Sequence, residues 1–146
     1  MTEHLTAAIE ILLVEDNPAD VRLTVEVFKQ AKLHNTLHVA EDGEAALAIL
    51  RDRTRRRPDL VLLDLNLPGI DGREVLQEIK TDPALLSIPV CILTTSRAES
   101  DIFNAYQHHT NCYIVKPVDL EQFINVVQQI QDFWFSIVKL PKLVPG

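Results

Sequence analysis

Five short, mostly aliphatic runs recur along this chain, and each leads into a segment with helical spacing. The runs are Ile9–Val14, Thr36–Ala40, Asp59–Leu63, Val90–Leu93 and Cys112–Val115. Apolar runs this short, bounded by turn signals, read as strands buried on both faces. Asn17-Pro18 opens the first helical segment, with Asn as cap and Pro at the first position. Val21, Val25 and Phe28 recur there at helical spacing, and Leu23 and Val27 widen the apolar face. Asp42-Gly43 leads into EAALAILRDR, and Gly72 into REVLQEIK, which stops near Thr81-Asp82-Pro83. Glu99–His108 and a last helix from Leu120 to about Val138 complete the set. This alternation predicts an α/β fold, a doubly wound five-stranded parallel sheet with helices on both faces and right-handed crossovers. No segment repeats and no Ser/Gly-rich linker divides the 146 residues. We expect a flexible arm over 1–8, one domain over 9–138 and a Pro-containing tail over 139–146.

In open α/β sheets the chemistry sits beyond the carboxyl ends of the strands. All those ends share one edge when the strands are parallel. The edge therefore gathers Glu15-Asp16, Asp64, Thr94-Thr95 and Lys116, which are far apart in sequence. Asp64 lies within PDLVLLDLNLPGIDG, where a strand entered through Pro58 ends on a carboxylate and a Pro/Gly-rich loop. An Asp at a strand end commonly just caps a turn, so the functional reading rests on the combination. Three crowded carboxylates repel and call for a cation. All-oxygen ligation with room for water suits Mg2+. A hydroxyl and an ammonium beside that ion can hold the oxygens of a phosphoryl group. A carboxylate is itself a competent nucleophile, and the product is an aspartyl phosphate.

Composition narrows the partners. A net charge of −7 argues against nucleic acid or an anionic membrane. The first residues lack a basic region followed by an apolar core, and no apolar run is long enough to span a bilayer. The expectation is a cytoplasmic protein whose Cys91 and Cys112 are reduced core residues. The five histidines show no metal-ligand spacing, and the basic run Arg51–Arg57 reads as a solvated helix end.

These motifs, in this order, resemble the receiver domains of two-component response regulators over roughly Ile9 to Val138. The resemblance is carried by Glu15-Asp16, Asp64 with Leu67-Pro68 and Asp71-Gly72, Thr94, and Lys116-Pro117. It implies a flavodoxin-like strand order 2-1-3-4-5. It further implies that Asp64 accepts phosphate from a phosphohistidine on a sensor histidine kinase. Asp16, Asp64 and the backbone carbonyl of Asn66 would ligate Mg2+, with Glu15 helping through water. Thr94 and Lys116 would hold the phosphoryl group, and Tyr113 would be the aromatic switch that follows Thr94. Ser96 is the alternative hydroxyl, but Thr94 directly ends its strand. The run TTSRAESDIFNAYQHHTNCYIVKP and the late Phe133-Trp134 resemble stand-alone receivers that serve cyanobacterial phytochromes, which implies a phytochrome-like kinase as partner.

Two other readings start from the same residues. An intermediate phosphate carrier in a multistep phosphorelay would use Asp64 in the same way. A haloacid-dehalogenase-like phosphatase also uses a strand-end Asp with Mg2+, but it wants a second acid two residues on. Asn66 stands there and cannot transfer protons.

The last helix carries two adjacent apolar stripes. One is Leu120, Phe123, Ile124, Val127 and Trp134; the other is Val126, Ile130, Phe133 and Ile137. Packing on a sheet needs a narrower stripe. We expect a second burial there, as a homodimer or kinase-docking face. The tail Leu140–Val144 folding back is the alternative cover.

Overall fold

The five expected strands pair into one sheet in the order β2-β1-β3-β4-β5, and all four pairings between them are parallel. The elements are β1 (Ile9–Val14), α1 (Pro18–Lys29), β2 (Asn35–Ala40), α2 (Gly43–Arg51), β3 (Leu60–Leu63), α3 (Gly72–Thr81), β4 (Val90–Thr94) and β5 (Cys112–Val115). The computed structural model describes residues 9–30, 34–98, 100–102, 104, 112–116, 121, 125, 128 and 129.

Side chains alternate across the sheet with a period of two, and this divides the core. Leu12, Val14, Val61, Leu63, Val90 and Ile92 join Leu47 and Leu50 of α2 and Val75, Leu76 and Ile79 of α3 on one face. Ile11, Leu13, Leu60, Leu62, Cys91 and Leu93 join Val27 and Phe28 of α1 on the other. All four residues of β3 are buried, as expected for a strand with a neighbour on each side and a helical layer on each face. Burial of each such aliphatic side chain stabilises by roughly 1.5–3 kcal/mol.

The helix starts follow local chemistry. Asn17 Oδ1 accepts from the Ala19 and Asp20 amides, and Pro18 occupies the first turn of α1. Asp42 Oδ1 accepts from the Ala45 amide at 2.7 Å and caps α2. α2 stops at Arg51, short of the expected Arg53, because Asp52 turns out of helical geometry and its carboxylate accepts from Thr54. β4 extends one residue beyond expectation, since Thr94 still pairs with Val115. β3 starts one residue late: Asp59 caps it, donating its amide to Glu10 O and accepting the Glu10 amide on Oδ2.

One expectation is corrected. Cys91 is disulfide-bonded. Its register partner across β4 and β5 is Cys112. Run assignments alone do not reveal that register.

The basic run Arg51–Arg57 is exposed, as expected, but tied down. Arg51 pairs with Glu78 at 2.5 Å, Arg56 with Asp59 at 3.1 Å, and Arg57 donates to Ala84 O and Ser87 Oγ. Glu121, Asn125, Gln128 and Gln129 are helical and exposed, which matches the polar side of the expected last helix. Its apolar stripes, the first eight residues and the tail lie outside the described residues. Among the described residues no helix is long and apolar enough to cross a membrane.

Candidate functional site

The sheet's hydrogen-bond ladder runs one step past three strands, and each extra rung fixes a functional residue. The Glu15 amide donates to Ala40 O at 3.0 Å and the Asp64 amide to Val14 O at 3.0 Å. The Lys116 amide donates to Thr94 O at 2.7 Å. Glu15, Asp64, Thr94 and Lys116 are all buried, whereas Asp16 and Asn66 are exposed at the mouth. The rim thus brings together the acids, the hydroxyl and the amine expected there.

Glu15, Asp16 and Asp64 each offer a carboxylate oxygen within 4.8 Å of the others. Lys116 Nζ donates to Glu15 Oε1 at 2.5 Å, to Asp20 Oδ2 at 2.7 Å and to Asp64 Oδ2 at 3.4 Å. Asp64 Oδ1 also accepts from the Asn66 amide at 3.0 Å, so both carboxylate oxygens are held. Asn66 Nδ2 donates to Thr94 Oγ1 at 3.2 Å and to Thr95 Oγ1 at 2.9 Å. The alternative hydroxyl, that of Ser96, is engaged elsewhere and donates to Asp101. Tyr113 donates to Ser96 O at 3.1 Å, on the segment that follows Thr94.

Asp20 was not singled out from sequence. α1 leaves the carboxyl end of β1, so acids in its first turn lie at the same rim. The signal was a carboxylate four residues after Asp16, one helical turn on.

The site is charged to attract a cation. Among the described residues, Glu15, Asp20 and Asp64 share the Lys116 ammonium, and Asp16 adds a further carboxylate beside Glu15 and Asp64. Burial pushes Glu15 up to about 7, although Lys116 beside it pulls the other way. Burial works against the charge of Lys116 too, but its bonds to Asp20 and Glu15 outweigh burial and hold it well above an ordinary lysine. Hard oxygen donors on a fixed rim fit a divalent ion such as Mg2+, which takes a few carboxylates and keeps water.

A testable consequence concerns pH. Glu15 holds its proton more tightly folded than unfolded, from 4.5 to about 7. Its contribution to stability is therefore fully present below about pH 4.5 and is lost as pH rises through about 7. Urea melts of metal-free protein, compared with Glu15→Gln, should show an extra loss on the order of 1–3 kcal/mol between about pH 5 and about pH 8. A divalent cation selects the carboxylate and should flatten that difference.

Glycine at position 72 keeps Asp64 where it is. A Cβ built there would lie 2.2 Å from Asp64 O and 2.5 Å from Leu65 Cα. Both are backbone atoms, so Gly72→Ala must push α3 away from the segment carrying Asp64. We expect a loss of roughly 1–3 kcal/mol in chemical denaturation, together with weaker divalent-ion binding.

Comparison with known proteins agrees with this geometry. Residues 11–128 match the model of the response regulator receiver domain. The chain is 48% identical over 135 residues to response regulator Rcp1 of Synechocystis sp., covering 90% of this chain and 92% of that protein. It is 40% identical over 134 residues to the probable methanogenesis regulatory protein FilR2 of Methanothrix harundinacea, covering 90% and 86%. Among solved structures it is similar to the phosphorylated cyanobacterial phytochrome response regulator RcpA, with a TM-score of 0.81, 48% identity and coverage of 89% and 96%. The Mn2+-bound form of Rcp1 matches with a TM-score of 0.80, 47% identity and coverage of 88% and 96%. Motif order, sheet topology, rim geometry and these matches lead to one placement: the chain belongs to the response regulator receiver domain family of two-component systems.

Proposed function

We propose that this chain takes a phosphoryl group onto Asp64 from a phosphohistidine of a sensor histidine kinase. The observation that carries the reading is the convergence of Glu15, Asp16 and Lys116 on the buried carboxylate of Asp64. An Asp64 oxygen forms the bond to phosphorus as the N–P bond of the phosphohistidine breaks. The electron pair returns to the imidazole nitrogen, and no general base is needed because the carboxylate is already deprotonated. Glu15, Asp16, Asp64 and the backbone carbonyl of Asn66 would hold Mg2+, which when bound neutralises charge on the phosphoryl oxygens. Lys116 shares its charge among three carboxylates and can give part of it to a phosphoryl oxygen. Thr94 supplies the hydroxyl donor, and Tyr113 reports its movement through Ser96.

The pairing with a phytochrome-type light sensor is supported by the likeness to RcpA and by the late aromatic pair. We place the domain at 9–138 between an arm and a tail, acting in the cytoplasm. The dimer or partner face would be Phe123, Val126, Ile130, Phe133, Trp134 and Ile137; its support is the apolar excess in the sequence. The phosphatase reading is disfavoured, because Asn66 spends its amide on Thr94 and Thr95 and carries no acid. Incubation with acetyl phosphate should give an acid-labile, hydroxylamine-sensitive adduct that requires Mg2+. Turnover of a phosphomonoester without such an adduct would favour the phosphatase.

A further inference from the structure

We propose that the basic segment after α2 is a docking surface for a short acidic segment of a partner protein, one that carries an aliphatic side chain among its carboxylates. The segment joins the carboxyl end of α2 to the amino end of β3, so it lies on the sheet edge opposite Asp64. Arg51, Arg53, Arg55, Arg56 and Arg57 fall within one short run, in a chain whose net charge is −7. All five are exposed. Two are neutralised by acids, Arg51 by Glu78 and Arg56 by Asp59. Among the described residues the other three have no ion pair with a carboxylate. Arg57 donates to two uncharged acceptors, Ala84 O at 3.2 Å and Ser87 Oγ at 3.3 Å. Arg55 reaches His38 Nδ1 at 3.5 Å. Asp52, the acid within the run, turns its carboxylate to Thr54.

Beside these charges lies a cavity of about 140 Å³. Leu12, Ile49 and Pro58 supply its apolar lining, and Arg55, Arg56 and His38 its basic lining. Glu10 also lines it, but His38 at 2.8 Å and Arg56 at 3.8 Å compensate its carboxylate. Small-molecule sites usually run from about 300 to about 1,000 Å³. This cavity has room for a single aliphatic side chain instead. Guanidinium forks at its mouth match carboxylates in geometry as well as in charge. An apolar anchor in a pocket, ringed by polar contacts, is the arrangement that carries most of the energy in protein interfaces. A nucleic acid fits the surface less well. Its length exposes it to the negative field of the whole chain, and its backbone has nothing to place against Leu12 and Ile49.

This inference does not depend on the acceptor reading of Asp64, which sits at the other edge. The test is calorimetric titration of the full chain with the capped peptide Glu-Glu-Leu-Glu-Glu, at about 0.01 M ionic strength, where surface charges are screened least. Wild-type protein should bind it, and raised salt should weaken the binding. The peptide Glu-Glu-Gly-Glu-Glu should bind about tenfold more weakly, because the leucine side chain is no longer buried. The double variant Arg53→Gln, Arg55→Gln should bind the leucine peptide about fivefold more weakly. Both arginines are exposed and lie outside helices and strands, so its denaturation midpoint should match wild type. No binding by wild type would overturn the proposal. So would equal affinity for the glycine peptide, or unchanged affinity in the double variant. Tighter binding of a short thymidine oligonucleotide than of the leucine peptide would assign the surface to nucleic acid and overturn it as well.

Discussion

Asp64→Asn protein, incubated with acetyl phosphate and Mg2+, is expected to carry no acid-labile phosphate. The loss should be at least on the order of a thousandfold, because the substitution removes the nucleophile itself. An amide oxygen is uncharged and does not form a phosphoryl ester of this kind. The fold should survive. Asn has the same shape, and its carbonyl can still accept the Asn66 amide that now reaches Asp64 Oδ1. Lys116 keeps Glu15 and Asp20 as partners. One carboxylate fewer also relieves repulsion at the rim. Denaturation midpoints should therefore move little, while Mg2+ binding weakens. Label retained at wild-type level would refute the acceptor assignment.

The second large effect is expected at Lys116. Its ammonium is the charge that Glu15, Asp20 and Asp64 share. Lys116→Met keeps most of the aliphatic stem and deletes that charge, leaving the carboxylates of Glu15 and Asp64 buried without it. Breaking a buried pair in this way typically costs about 3–5 kcal/mol. Glu15 can soften the loss by taking up a proton, since burial already favours its neutral form. The destabilisation should therefore be larger above about pH 7 than below it. Saturating Mg2+ should recover part of it by supplying positive charge to the same acids. Urea melts at two pH values, with and without Mg2+, check all three statements. Unchanged stability in metal-free Lys116→Met would mean that the ammonium does not hold these acids.

Much of this site could be read before any coordinates. Glu15, Asp16, Asp64, Thr94 and Lys116 each end or follow an apolar run, and parallel topology places all such ends on one edge. Period and turn chemistry were enough for a parallel sheet, whose strand order came from the family resemblance; the cap at Asn17 formed as expected, whereas Asp42, read as part of a turn, caps α2. What escaped depends on phase and register rather than on pattern. Asp20 reaches Lys116 because of how far α1 rotates before its first turn ends, which hydrophobic spacing does not specify. Asp101 meets Arg73 through the packing of segments that are 28 positions apart. The Cys91 disulfide needed the register of β4 against β5. Gly72 was read as a helix start, while its closer duty is the absence of a Cβ beneath Asp64.

The most direct test of the central claim is to locate the modified residue. Wild-type protein, treated with acetyl phosphate in Mg2+, would be reduced with borohydride, which converts an acyl phosphate to an alcohol, and then mapped by peptide mass spectrometry. The expected result is conversion at Asp64, abolished by chelation of the metal. Conversion at another carboxylate, or at Asp64 without any need for a divalent ion, would contradict the account.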